Sequence, residues 1–311
     1  MDASAIVQTL WTGFAISTTM MLFAVAFSLV LKVVKVWNFA QAGFMALAFY
    51  GIFAAFNWMH WPMWVSILIG FAVTLLASFA LEAFAFDVLR KRKSPALTYF
   101  IVTLVVSQFF AYLLAMVFGS EPVSLTPNIT SEVELVGGIA ISHWDLTAVA
   151  VAAILLIVLQ QSMLRTRNGQ FMLAVANNAE LAELYGISSK RAWIVAFAIA
   201  SALVTAGMYL YGTRSAITPY SPLNIMLFAV VATLLGGTDR IFGAVPAALI
   251  LSLIQSLSIF VIPSQWQGFI VYVFLFVTIL FFPEGFKIQK FKIRAPASKR
   301  QSDAGAPNAP S

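Results

Sequence analysis

The stretch IFGAVPAALILSLIQSLSIFVIPSQWQGFIVYVFLFVTILFFP, Ile241–Pro283, contains no Asp, Glu, Lys or Arg. About 20 apolar residues are enough for a helix to cross the hydrocarbon of a bilayer, so this stretch can cross it twice. The same reading extends through the chain. Ala3–Leu31, Val36–Leu81, Ser94–Ser120, Leu146–Leu164, Ala192–Thr213 and Ser215–Thr238 are also uncharged. Val36–Leu81 again has room for two spans. Of 311 residues, 61% are hydrophobic and only 10% charged; a soluble domain carries about 25% charged residues to face water.

The backbone must satisfy its own hydrogen bonds in lipid, and these runs are long rather than short and alternating, so they are helices and not barrel strands. The expectation is an all-α polytopic membrane protein of about nine transmembrane helices, near 8–31, 36–56, 62–86, 95–119, 144–164, 193–213, 223–236, 244–262 and 268–283. The first is read as a retained span, because the N-terminus carries Asp2 and no basic region of a signal peptide.

Alternating the nine spans from an outside N-terminus puts 17 of the 18 basic residues on the inner side and leaves Arg214 outside. The positive-inside rule then favours N-out and C-in. The segment 223–236 is short, but if it re-entered, the basic tail would fall outside. Residues 1–286 form the expected transmembrane domain. Residues 287–311 form a basic cytoplasmic tail whose Ala-, Pro- and Ser-rich end is expected to be disordered. The net charge of +6 fits loops facing anionic membrane lipid, not nucleic acid.

There is no cysteine, so disulfide and thiol chemistry are excluded. No P-loop, no His-Glu-x-x-His and no cluster of metal ligands occurs, and no cofactor or metal is expected. No nucleophile–base constellation suggests an enzyme. No acid or base lies near the middle of a span, where ion-coupled carriers place one. Glu82, near an inner end, reads first as a partner for the basic run Arg90-Lys91-Arg92-Lys93. A chain that moves solute without means of energising it is a permease subunit with a separate engine, or a passive channel.

Polar and small residues mark a candidate pathway. Asn38, Gln41 and Gly43 lie in Trp37-Asn38-Phe39-Ala40-Gln41-Ala42-Gly43. Asn224, Gly236 and Gly237 bound a short segment in the second half, and Gln255 follows with Ser256 and Ser258. Paired, glycine-interrupted segments in two halves are a pointer to a transport site; small residues that let helices pack closely explain the glycines equally well. The inner loop 165–192 is long for a connection. In it Asn177 or Asn178 can cap a short helix, Leu181, Leu184 and Tyr185 form an apolar stripe, and Gly186 ends it. Such a helix lies on the membrane or docks into a partner's groove.

These stretches resemble the LivH-type permeases of branched-chain amino acid ABC importers. Trp37-Asn38-Phe39-Ala40-Gln41 is similar to that family's early Asn-Phe/Leu-Ala-His/Gln segment, and Glu180-Leu181-Ala182 with Gly186 to its loop pattern Glu-x-Ala-x-x-x-Gly. Leu234-Leu235-Gly236-Gly237-Thr238-Asp239-Arg240-Ile241-Phe242-Gly243-Ala244 and Phe281-Phe282-Pro283-Glu284-Gly285-Phe286 resemble its late glycine-rich and terminal stretches. Ala42, Asp239 and Leu181 depart from the pattern.

The resemblance implies an inner-membrane permease subunit for branched-chain or other small amino acids. It further implies separate ATP-binding cassette ATPase subunits docked on Glu180, Leu181, Ala182, Leu184 and Gly186, a second permease subunit, and a periplasmic solute-binding protein. The rival expectation is a stand-alone channel or facilitator for a small neutral solute such as urea or an amide.

Overall fold

The computed structural model describes residues 3–125, 133–136, 139–263 and 266–281. The tail 287–311 and most of the terminal Phe281–Phe286 motif lie outside the described residues. The described chain is helical apart from one two-stranded antiparallel hairpin, β1 (Val133–Val136) with β2 (Ile139–Ser142). Seven helices among the described residues are long and apolar enough to cross a membrane.

α1 (Ala3–Val34) is the axis of the bundle. At 1.5 Å per residue its 32 residues span about 48 Å. Every residue from Ser17 to Leu31 is buried, because α6 (His143–Arg165), α9 (Ser189–Arg214), α10 (Ser221–Gly236) and α11 (Ala244–Leu257) all pack around it. A helix with no polar face can be enclosed on every side without stranding a charge. α2 (Ala40–Phe53, continuing as a π-helical turn to Trp58) is enclosed in the same way by α3, α5, α9 and α10.

The outer helices are built inside out relative to a soluble bundle. α3 (Met63–Ala80) buries Ser66, Gly70, Thr74 and Ser78, spaced one turn apart, and exposes Leu68 and Leu76. α5 (Ala96–Phe118) buries Thr103, Ser107 and Ala111 and exposes Ile101, Val105, Phe109 and Met116. Lipid solvates the large apolar side chains, so the interface goes to residues that let backbones approach. The hydroxyls bond within the turn, as Thr74 Oγ1 does to the Gly70 carbonyl at 2.7 Å. At the α2–α3 crossing a Cβ on Gly51 would sit 3.2 Å from the Gly70 Cα.

Successive helices alternate in direction, and long-range contacts fix the two ends. Near one end Val123 bridges Ile217, and Gln8 bonds the Ala140 backbone. At the other, Lys32 at the foot of α1 meets Asp239 at 3.4 Å, beyond the C-terminus of α10. α10 therefore runs from one end of the bundle to the other, despite having only 16 residues. Lys32, Lys35, Arg90–Lys93, Arg165, Arg167, Lys190, Arg191 and Arg240 all belong to the Lys32 end. Arg214 alone among the described basic residues belongs to the opposite end.

The turn from α10 to α11 is the tightest point. Gly237 (φ +89°) terminates α10 in the left-handed region, and a Cβ on Gly236 would collide with the Gly243 carbonyl. Gly236→Val should therefore lower the thermal unfolding midpoint of the purified protein, at a cost of about 1–3 kcal/mol for forced overpacking. An unchanged midpoint would show that this turn can open.

Candidate transport pathway and coupling surface

The loop between α6 and α9 holds two helices. The sequence reading expected one; α7 (Arg167–Asn177) precedes it. Thr166 Oγ1 accepts from the Gly169 N–H at 3.1 Å and starts α7. A Cβ on Gly169 would strike the α6 backbone at Ser162 and Met163, so only glycine permits this fold-back. Met172, Val175 and Ala176 then bury α7 against the basic end of the bundle.

α8 (Ala179–Leu184) sits on that platform. Asn178 Oδ1 accepts from the Leu181 N–H at 3.0 Å, which settles the capping residue as Asn178. At the other end the Gly186 N–H donates to the Glu183 carbonyl at 2.9 Å and the Ile187 N–H to the Ala182 carbonyl at 3.0 Å. This is a Schellman motif, and it needs the φ of +79° that Gly186 supplies. Ala182 is buried against the bundle. Leu181, Leu184 and Tyr185 are 50%, 83% and 78% exposed, and Glu180 and Glu183 flank them on the surface. The apolar stripe is thus left open on a helix capped at both ends.

α8 leads directly into α9, whose first turns carry Trp193. Arg90 lies over the Trp193 ring, with Cζ 3.6 Å from its centroid. The same guanidinium donates to both carboxylate oxygens of Glu82, at 2.5 and 3.0 Å. Glu82 is buried within the π-helical turn Leu81–Phe86 that follows α3. A planar fork binding a carboxylate while stacking on an indole links α3, α4 (Asp87–Lys91) and α9 rigidly. The sequence pairing of Glu82 with the basic run is thus seen as a contact with Arg90.

The residues selected from the sequence fall into four places. Asn38 and Gln41 come together in the enclosed centre, 1% and 2% exposed. Gln41 Nε2 donates to the Phe23 carbonyl at 3.4 Å, while Asn38 Oδ1 and Gln41 Oε1 have no partner among the described residues. Both amides, with Ser201, line a cavity of about 10 Å³ between α1, α2 and α9, just enough for one water. Ser201 Oγ also pairs with Ser78 Oγ at 3.0 Å. Gly43 stands apart, against Ser107 and Phe110 of α5, where its missing Cβ admits close packing. Gly236 and Gly237 are at the basic end, in the turn described above.

Asn224 and Gln255 meet near the opposite end, in a cavity of about 440 Å³ that α12 (Gln267–Phe281) helps to wall. Tyr272 Oη donates to Asn224 Oδ1 at 3.1 Å. A second cavity of about 200 Å³ adjoins it, sharing Met20, Tyr211 and Gln255. Its wall carries an ion pair, Asp145 with Arg214, which the sequence reading missed. Asp145 sits one residue before the uncharged run 146–164.

An amide oxygen buried without a partner costs stability, so replacing it by a residue of similar shape relieves a penalty. Asn38→Leu should leave the unfolding midpoint unchanged or raised, yet reduce solute uptake several-fold. Normal uptake by this variant would make Asn38 a packing residue.

Over residues 9–280 the chain matches the family described as the permease component of branched-chain amino acid transport systems. It is 25% identical to the high-affinity branched-chain amino acid transport system permease protein LivH of Escherichia coli K12 over 294 residues, 89% of this chain and 94% of that one. LivH of Salmonella typhimurium matches with the same identity and coverage. BraD, the corresponding permease protein of Pseudomonas aeruginosa, is 23% identical over 292 residues, 89% of this chain and 94% of its own. Among solved structures, PsaBC from Streptococcus pneumoniae in complex with Fab shares the fold, with a TM-score of 0.50 at 11% identity, covering 88% of this chain and 92% of that one. The chain therefore belongs to the branched-chain amino acid ABC transporter permease family, as a multi-pass protein of the inner membrane.

Proposed function

We propose that this chain is a permease subunit of an importer for branched-chain or other small aliphatic amino acids, driven by separate ATPase subunits docked on α8. The observation that carries this is the α8 surface: Leu181, Leu184 and Tyr185 exposed at the basic end, on a helix fixed by Asn178 and Gly186. A passive channel has no use for such a surface. The relatives named for branched-chain amino acid transport support the substrate class.

By the positive-inside rule the basic end is cytoplasmic, which gives nine crossings, an outside N-terminus and an inside C-terminus. ATP-driven closure of the ATPases moves α8. The motion passes through α9 and the Trp193–Arg90–Glu82 contact into α3, and changes the side to which the pathway opens. A periplasmic solute-binding protein delivers substrate at the opposite end, and a second permease subunit completes the pathway. Apart from the Asp145–Arg214 pair, the polar groups available along the way are amides and hydroxyls, which hold a zwitterion weakly enough to release it. The role is transport, with no bond made or broken in the solute by this subunit.

A β-branched residue at a positive φ costs about 1–3 kcal/mol and would misdirect the helix end. Gly186→Val should abolish ATPase co-purification and ATP-dependent uptake while the protein still inserts in the membrane, and Glu180→Lys should act likewise through charge at the contact. Variants that transport normally, with no ATPase ever retained, would replace the importer by a facilitator for a small neutral solute. A reporter fused after Ser311 should be active only in the cytoplasm; periplasmic activity would overturn the orientation and the nine crossings.

A further inference from the structure

Asp145 stands in the first turn of α6 and Arg214 is the last residue of α9. They form an ion pair between the two helices, at the end of the bundle away from α8. The pair is half-sheltered: the Arg214 side chain is 33% exposed and that of Asp145 11%. Both line the cavity of about 200 Å³ whose opposite walls are α1 and α11. That cavity is not fully satisfied by its own residues. Ser252 Oγ and the Trp144 indole N–H, from two other positions on its wall, are buried without a hydrogen-bond partner among the described residues. Buried polar groups are normally paired, so two orphans beside a charge pair mark a place where a polar ligand fits. Met20, Tyr211 and Gln255 line both this cavity and the adjoining larger one of about 440 Å³, which is lined mainly by apolar side chains such as Ile225, Phe228 and Val271.

We propose that Asp145 and Arg214 form a binding subsite for the zwitterionic head of an aliphatic amino acid, whose side chain extends into the adjoining apolar cavity. This rests on the importer reading and adds to it a location and a selection rule. The ammonium group bonds the Asp145 carboxylate and the carboxylate bonds the Arg214 guanidinium, so the two protein charges exchange one partner for another. Net charge in the cavity is zero before and after, and neither protein charge is left unpaired, which is the condition for sheltering ions in a medium of low polarity. A solute carrying a single net charge leaves one protein charge without a counter-ion. A charged side chain meets the apolar cavity and is rejected there for the same reason. The pair therefore favours neutral zwitterions over cations and anions, and the apolar cavity favours branched aliphatic side chains.

A plain structural clamp between α6 and α9 makes a different forecast, and ligand charge separates the two. The permease–ATPase complex, in lipid nanodiscs and without the solute-binding protein, is titrated with leucine, leucine amide (a cation) and N-acetyl-leucine (an anion). The readout is tryptophan fluorescence, since Trp144 and Trp266 line the cavities. Leucine should bind about tenfold more tightly than either analogue, the difference expected for one charge-assisted hydrogen bond. Asp145→Asn should shift preference toward N-acetyl-leucine, and Arg214→Gln toward leucine amide. The double variant Asp145→Asn/Arg214→Gln buries no unpaired charge, so it should assemble with its ATPase and lose the discrimination. Equal affinity for all three ligands in the unsubstituted complex, or equal weakening of all three in both single variants, overturns the subsite. ATPase retention is read on the same preparations. A complex that keeps its ATPase but shows no charge preference refutes this site alone, whereas failure of the unsubstituted chain to retain ATPase refutes the importer.

Discussion

The enclosure of α1 sets the rest of the architecture. A helix that is apolar on every face has no side to offer water, and a bilayer alone would not fix its position. Four helices packed around it do, and their arrangement determines where everything else lies. α9, α10 and α11 touch α1 with small or flexible residues. Gly207 admits the Phe23 ring, since a Cβ there would sit 2.5 Å from it, and a Cβ on Gly13 would sit 2.7 Å from the Ser256 hydroxyl oxygen. Thr233 Oγ1 reaches the Ala24 carbonyl at 3.2 Å across the α1–α10 contact. Such contacts replace the hydrophobic driving force that lipid cannot supply between helices. The cavities follow from the same arrangement, because both of the larger ones are gaps beside Met20 that the surrounding helices leave open.

The fold was legible where the physics is one-dimensional. An uncharged run of about 20 residues has few alternatives to a spanning helix, and the helices Ala96–Phe118, His143–Arg165 and Ser189–Arg214 lie close to the expected 95–119, 144–164 and 193–213. A cap at Asn177 or Asn178 and the stop at Gly186 were legible too, since both depend on local backbone chemistry. What escaped the sequence reading depends on three-dimensional contact. α7 was missed because its burial rests on the fold-back at Gly169, which only the proximity of α6 reveals. The hairpin β1–β2 was missed inside a loop read only for its charge, although the apolar runs on either side of Gly137-Gly138 carry the signal of one. The π-helical turns at Ala54–Trp58 and Leu81–Phe86 have no pattern in sequence that sets them apart from α-helix.

The candidate site divides in the same way. Residue type singled out Asn38, Gln41, Asn224 and Gln255 as polar groups in apolar surroundings, and each borders a cavity. Sequence could not show that they belong to two separate places. Nor could it separate Gly43, which makes room for α5, from the glycines of the α10–α11 turn, because absence of a side chain reads alike whether it admits a helix or a ligand. Asp145 was passed over for a related reason. At the edge of an uncharged run it looks like an interfacial residue, and its significance comes only from Arg214, 69 positions away in sequence.

The two charge pairs give α9 its particular position. Its first turns hold Trp193, over which Arg90 stacks while binding Glu82, and its last residue is Arg214, paired with Asp145. The helical rise from Trp193 to Arg214 is about 32 Å at 1.5 Å per residue, close to the thickness of the hydrocarbon core. A single rigid element thus touches the base of the exposed α8 surface at one end and the larger cavities at the other. α8 and α9 are separated only by Tyr185–Ser188, and Ile187 is tied back to Ala182, so a displacement of α8 has little slack before it reaches α9. At the far end the same displacement changes the distance between α9 and α6, which only the Asp145–Arg214 pair spans with opposite charges. On the proposed function, a tilt of α9 is therefore the simplest physical route by which work done at the α8 surface would alter the proposed hold on a zwitterion at the other end. It requires no relay through the tightly packed centre around Phe23 and Phe27, both of which are fully buried.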